Sequence, residues 1–190
     1  MKHLKKINAC LVTINIIAGL VFIILHCINA EQFPKLLSYF ATIFLPLVPV
    51  VFRKIFHLPI SDALETAFLA FLIPAMVIGI DIDLYKCPWH YDKIVHCASG
   101  VLTAFVAKEI LDHCYKDKNI LFMLLFIIAF TALIAVAWEI YEFSYDQLFQ
   151  GHMQTLISEG ITDTMWDLIS ALIGGFAAAF CLMFAQKKSR

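Results

Sequence analysis

Six residues of this 190-residue chain have the types and spacing to do chemistry: Asp92, His96, Glu139, Glu142, Asp163 and Asp167. They fall into three pairs. Asp92 and His96 are four apart, Glu139 and Glu142 three apart, and Asp163 and Asp167 four apart. On a helix each pair shares one face. A carboxylate near the centre of a membrane span costs roughly 2.5–3.5 kcal/mol on insertion scales, and less towards the interface. Two carboxylates ~5 Å apart repel by roughly 3 kcal/mol at an effective dielectric of 20. Five carboxylates at one depth therefore have to take up protons, bind a cation, or accept donors from a ligand. Carboxylate oxygens with one imidazole nitrogen suit a divalent ion such as Zn²⁺, Mn²⁺ or Mg²⁺. All six residues are candidate ligands. Glu139, His96 and Asp167 are the candidate catalytic groups, beside an ion that activates water or polarises a phosphoryl or carbonyl group.

A structural reading competes with this one. Asp92 and Asp163 sit where helix N-caps belong, and Thr164 with Asp167 fits a capping box. Acidic groups are favourable at a helix N-terminus in any case. Glu139 and Glu142 resist that explanation, because acids at a helix C-terminus oppose the macrodipole.

The elements that hold these residues follow from composition. Hydrophobic residues make up 62% of the chain and charged residues 15%, and the mean hydropathy is +0.84. A soluble domain is about half apolar and about a quarter charged, so neither an ordinary globule nor a disordered chain fits. The net charge of −1 carries no basic excess for a nucleic-acid partner. The partner is the lipid bilayer. The expected fold is all-α: a polytopic membrane protein, a bundle of six transmembrane helices in a single domain over 1–190. The spans are expected at about 7–28, 36–52, 63–80, 94–111, 120–141 and 165–185, each near the ~20 residues a helix needs to cross. Uninterrupted apolar runs favour helices over the alternation of a barrel. Pro46 and Pro49 predict a kink in the second span, and Pro74 lies inside the third. The first span reads as a retained anchor, since Ile28 at the −3 position before Glu31 is not small.

Lys and Arg set the orientation. Eleven of them (Lys2, Lys5, Lys6, Arg53, Lys54, Lys108, Lys116, Lys118, Lys187, Lys188 and Arg190) fall on one side, against Lys35, Lys86 and Lys93 on the other. Both termini are expected on the cytoplasmic side of the membrane. The three acidic pairs then lie within a turn or two of the outer boundary. Trp89, Trp138, Trp166, Tyr91 and Tyr141 gather there as an aromatic belt. Asp62 with Glu65 reads as a capping box at the inner end of the third span, and the segment from about Glu142 to Ile161 as the longest loop. The six cysteines have no metal-type spacing, though Cys27 and Cys87 are both on the outer side. Ser170, Ala171, Gly174, Gly175, Ala178 and Ala179 form small-residue rows of the kind that pack helices.

The stretches DKIVHCASG from Asp92, WEIYE from Trp138 and DTMWDLISALIGG from Asp163 resemble the YjdF-like family of uncharacterised bacterial inner-membrane proteins. More distantly the chain is similar to VanZ-like proteins, which pair an Asp-Lys-x-x-His helix start with a later Glu and a late Asp and are associated with resistance to teicoplanin. The resemblance covers roughly Asp92 to Gly175 and singles out the same six residues. VanZ-like proteins usually carry a Gln after the late Glu, where this chain has Glu142. Three functions compete. The first is an outward-facing site that binds a cation or polar headgroup and acts on an envelope lipid or cell-wall precursor. The second is an ion-coupled transporter, and the third an accessory protein whose acids serve only its helices.

Overall fold

The computed structural model describes residues 2–29, 33–58, 60–82, 84–86, 90–116, 119–149 and 161–188. Every regular element among them is helical. The helices are α1 (Lys2–Asn29), α2 (Phe33–Phe44), α3 (Val48–Ile55), α4 (Asp62–Leu72), α5 (Tyr91–Cys114), α6 (Ile120–Phe149) and α7 (Ile161–Lys188). Among the described residues, six stretches are long and apolar enough to span a membrane: Lys2–Asn29, Lys35–Ile55, Asp62–Asp81, Tyr91–Cys114, Ile120–Phe149 and Ile161–Ala185. The prolines shape two of them. Around Pro46 the second span passes through a 3-10 turn, Leu45–Leu47, between α2 and α3. In the third, Pro74 lacks an amide proton and its ring crowds the carbonyl four residues back. The chain there widens into a π-helix, Ile73–Asp81.

Burial runs opposite to that of a soluble protein. Asn15 (0%), Thr42 (1%) and Asp167 (2%) are enclosed, while Leu125 (58%), Ile173 (59%) and Phe184 (70%) are open. Polar side chains turned inward and large apolar ones turned outward are what a lipid solvent selects.

The chain forms two compact units. The first comprises Met1–Tyr91 with Tyr145–Met153. In it α1 packs against α2 and α4. Gly19 admits α2 closely, since a Cβ there would stand 2.6 Å from Ile43 Cγ1. Polar contacts join α1 to α4. Asn15 Nδ2 donates to Leu69 O at 3.3 Å, and Thr66 Oγ1 donates to Asn8 Oδ1 at 2.5 Å. The start of α4 differs from the sequence expectation. Ser61 is the N-cap, accepting from Leu64 N. Glu65 pairs instead with Arg53 Nη2 at 2.7 Å, and Arg53 also donates from Nε and Nη2 to Ile60 O.

The second unit comprises Asp92–Ser144 with Gln154–Arg190. Here α5 and α7 cross backbone to backbone, because Gly100 lies against Ala171 and Gly174 against Cys97 with no room for a side chain. Gly175 makes room for Thr131 of α6. Towards the far ends of these helices Ala104, Ala107, Leu111, Met123, Ile127, Ala178, Ala179 and Met183 form the apolar core.

Candidate functional site

Four of the site residues, His96, Glu139, Asp163 and Asp167, continue packing columns of their helices. On α6, Ile127, Thr131, Ala135 and Glu139 recur every four residues, and all are buried. On α7 the column is Asp163, Asp167, Ala171 and Gly175, and on α5 it is His96, Gly100 and Ala104. The small residues draw the three backbones together. The polar residues one or two turns further along are carried into the same interior.

Lys93 stands at the centre. Its Nζ lies 2.9 Å from Asp92 Oδ2, 2.5 Å from Asp163 Oδ1 and 2.6 Å from Asp167 Oδ1. The last two contacts tie α5 to α7. His96 Nε2 sits 3.3 Å from Asp92 Oδ1 and 3.7 Å from Asp167 Oδ1, and its Nδ1 is 3.9 Å from Glu139 Oε1. Asp92 thus faces Lys93 with one oxygen and His96 with the other. Asp167, only 2% exposed, presents one oxygen to both.

Glu139 stands differently. It is 6% exposed, and neither carboxylate oxygen has a hydrogen-bond partner among the described residues. The Thr164 hydroxyl faces it without meeting hydrogen-bond geometry. A buried acceptor left without a donor loses its hydration with no return, so this carboxylate is incomplete as it stands. Glu142 is half-buried and accepts from Trp138 Nε1 at 2.6 Å, one turn back on the same helix.

All six sequence-predicted residues therefore lie at the same ends of α5, α6 and α7, but they divide into groups. Asp92, His96 and Asp167 offer ligand atoms within 4.8 Å of one another, and Glu139 adjoins them through His96. Asp163 is turned to Lys93, and Glu142 to Trp138. Donors at Zn–N and Zn–O distances of about 2.0–2.2 Å stand closer together than 4.8 Å, so an ion would draw the three side chains inward. It would also compete with Lys93 for Asp92 and Asp167.

Lys93 is the residue that sequence reasoning undervalued. A four-carbon stem reaching a neighbouring helix leaves no periodic trace. The capping expectation also changes. Both helices begin before their acids, α5 at Tyr91 and α7 at Ile161, and Asp92 and Asp163 lie within the first turns with their carboxylates on Lys93. Trp138 does more than float in an aromatic belt, since its indole N–H holds Glu142. The described cysteines, Cys27 included, are free thiols. Cys87 and Trp89 lie outside the described residues. The helical part of the expected loop after Glu142 runs on to Phe149.

Among the described residues, six helices long and apolar enough to cross a bilayer, with polar side chains buried within each unit, define a helical integral membrane protein. The chain belongs to the family described as "Predicted membrane protein (DUF2238)", which matches residues 9–188. An uncharacterized protein of Thermotoga maritima is 26% identical over 145 residues, covering 75% of this chain and 72% of that protein. No solved structure matches.

Proposed function

We propose that the second unit binds a divalent cation between Asp92, His96 and Asp167, with Glu139 beside it, on the outer face of a bacterial plasma membrane. The observation that carries this reading is Glu139: an enclosed carboxylate without a donor, next to three groups whose ligand atoms nearly converge. Charge supports it as well. Four carboxylates, Asp92, Asp163, Asp167 and Glu139, face one ammonium and one imidazole, and a divalent ion reduces that imbalance. One imidazole with carboxylates suits Zn²⁺ or Mn²⁺, and Mg²⁺ to the extent that water completes the shell. With Asp92, His96 and Asp167 holding an ion, Lys93 would retain Asp163 as its partner. Such an ion would supply Lewis-acid polarisation of a phosphoryl or carbonyl oxygen, and Glu139 beside it would serve as the proton acceptor. The substrate class is then the polar group of an envelope lipid or cell-wall precursor. The resemblance to YjdF-like and VanZ-like proteins supports the envelope setting. The bias of Lys and Arg supports cytoplasmic termini.

A second reading has its own observation. Lys93 bridging Asp163 and Asp167 fastens α5 to α7, which is what an accessory protein with a purely structural cluster would need. Metal analysis of the full chain, purified in detergent without chelator, separates the two. The expected result is bound divalent metal in wild type, lost in Glu139→Gln combined with His96→Ala at undiminished folded yield. Wild type that is metal-free, and stays so after dialysis against Zn²⁺, Mn²⁺ and Mg²⁺, would sink the cation site and leave the fastening role.

A further inference from the structure

The first unit holds a buried acid of its own. Asp81 ends the π-helix and is 7% exposed. Its Oδ2 lies 3.2 Å from Thr42 Oγ1, and its Oδ1 has no partner among the described residues. Thr42 is 1% exposed, and its Oγ1 also lies 3.1 Å from the carbonyl of Ser38, one turn back on α2. A hydroxyl has one proton to give and two lone pairs to receive with. It can donate to Ser38 O or to Asp81 Oδ2, not to both.

The two choices correspond to two protonation states. If Asp81 is ionised, Thr42 must turn its proton to Oδ2. A negative charge is then enclosed with one neutral donor and, among the described residues, an orphaned second oxygen and no counter-ion, which is a costly arrangement. If Asp81 carries a proton on Oδ2, it donates to Thr42, and Thr42 donates to Ser38 O. A continuous chain runs from the carboxyl through the hydroxyl to the backbone of α2. Only the second arrangement places a proton in each of the two close contacts.

The elements packed against the π-helix are α1, α2, α4 and the 3-10 turn Leu84–Lys86. Their charged and titratable groups towards this end are His26 on α1, Lys35 and Tyr39 on α2, and Tyr85 in the turn, with Tyr91 bonded to Pro74 O. The His26 ring stands edge-on to Tyr39, and Tyr85 covers Gly79. The Tyr145 hydroxyl is bonded to Ser38. Asp81 Oδ1 has no hydrogen-bond partner among the described residues, and the side-chain hydrogen bond the carboxyl makes is to Thr42.

We propose that Asp81 is a proton-binding site at the end of the third span, with Thr42 as the group that relays its state to α2. Release of the proton pulls the Thr42 hydroxyl from Ser38 O to Asp81, and uptake returns it. A threonine bonded to the carbonyl four residues back bends its helix slightly, so the switch alters the curvature of α2 just ahead of the 3-10 turn at Pro46. Buried acids of this kind mark proton paths in membrane proteins, and π-helical turns gather at functional sites. The ligand here is the proton itself. This inference is independent of the cation site in the second unit.

Infrared spectroscopy reads the proton directly. The full chain in lipid bilayers, with its aspartate carboxyl carbons isotope-labelled, is compared with Asp81→Asn at neutral pH. Wild type is expected to show a protonated-carboxyl C=O band that shifts with the label, disappears on alkaline titration, and is absent from Asp81→Asn. Spectra of wild type and Asp81→Asn that superimpose in this region overturn the proposal. Should Asp81→Asn not fold, Thr42→Val serves. It removes the acceptor of the carboxyl proton, so the band is expected to persist and move to higher frequency. A band that does not move overturns the proposal equally.

Discussion

Replacing Lys93 by Met asks how much of the second unit depends on one ammonium. Met keeps most of the aliphatic stem and deletes the charge. The substitution leaves Asp92, Asp163 and Asp167 facing one another, with side-chain exposures of 18%, 10% and 3%. Removing one partner of a buried ion pair costs about 3–5 kcal/mol, because the other charge stays enclosed and uncompensated. Lys93 itself is 21% exposed, which argues for the lower end, about 3 kcal/mol. At about 2–4 °C per kcal/mol for a chain of this size, the melting temperature should fall by about 6–12 °C. Differential scanning fluorimetry of the detergent-solubilised protein measures it. Two controls fix the cause. Adding Asp163→Asn to Lys93→Met should recover part of the loss, since it removes one of the stranded charges and the two sites are in direct contact. Divalent cation should also recover it. The variant frees the oxygens that the ion needs, and a ligand at about 100 times its dissociation constant adds about 2.7 kcal/mol. A Lys93→Met protein that melts with wild type, with or without the ion, refutes the idea that the ammonium neutralises this cluster.

The glycines of the second unit should separate by what they touch. Gly100→Val drives a side chain into the Ala171 backbone and should cost about 3 kcal/mol or more, whereas Gly175→Ala meets only the Thr131 side chain and should cost about 1 kcal/mol; comparable losses in folded yield for the two would contradict the close crossing. In the first unit Arg53→Lys keeps the charge and loses the fork that grips both Ile60 O and Glu65. A loss of about 2 kcal/mol is expected, and a neutral result in thermal melts would show the fork to be idle. Reporter fusions at the two ends should both read as cytoplasmic, following the Lys and Arg bias. Opposite readings at the two ends would break the even-span topology.

The spans were legible because lipid imposes a length and a composition that few other constraints imitate. The sequence expectation and the structure agree on six such helices, and differ mainly at ends where polar residues extend a helix past its apolar stretch, as at Glu142 to Phe149 on α6. The acidic residues were legible for the opposite reason: carboxylates are expensive in such a chain, so each demands an explanation. What the sequence left open was which carboxylate answers to which partner. Asp167 and Ala171 are four apart, as are Ala171 and Gly175, so the small-residue stripe of α7 already contained the direction in which Asp167 points. The same extension from Gly100 back to His96 holds on α5. A stripe that packs helices and a cluster that holds charge are, in this unit, one continuous face, and reading them as separate features obscured the inward aim of the acids. The contacts of Lys93, Arg53 and Thr42 were beyond that logic. Each joins residues on different elements through a side chain whose reach is not periodic, and Thr42 with Asp81 links positions 39 residues apart. Local spacing reports the face a residue occupies. The choice of partner across the face belongs to the packing of whole helices, which the glycines control.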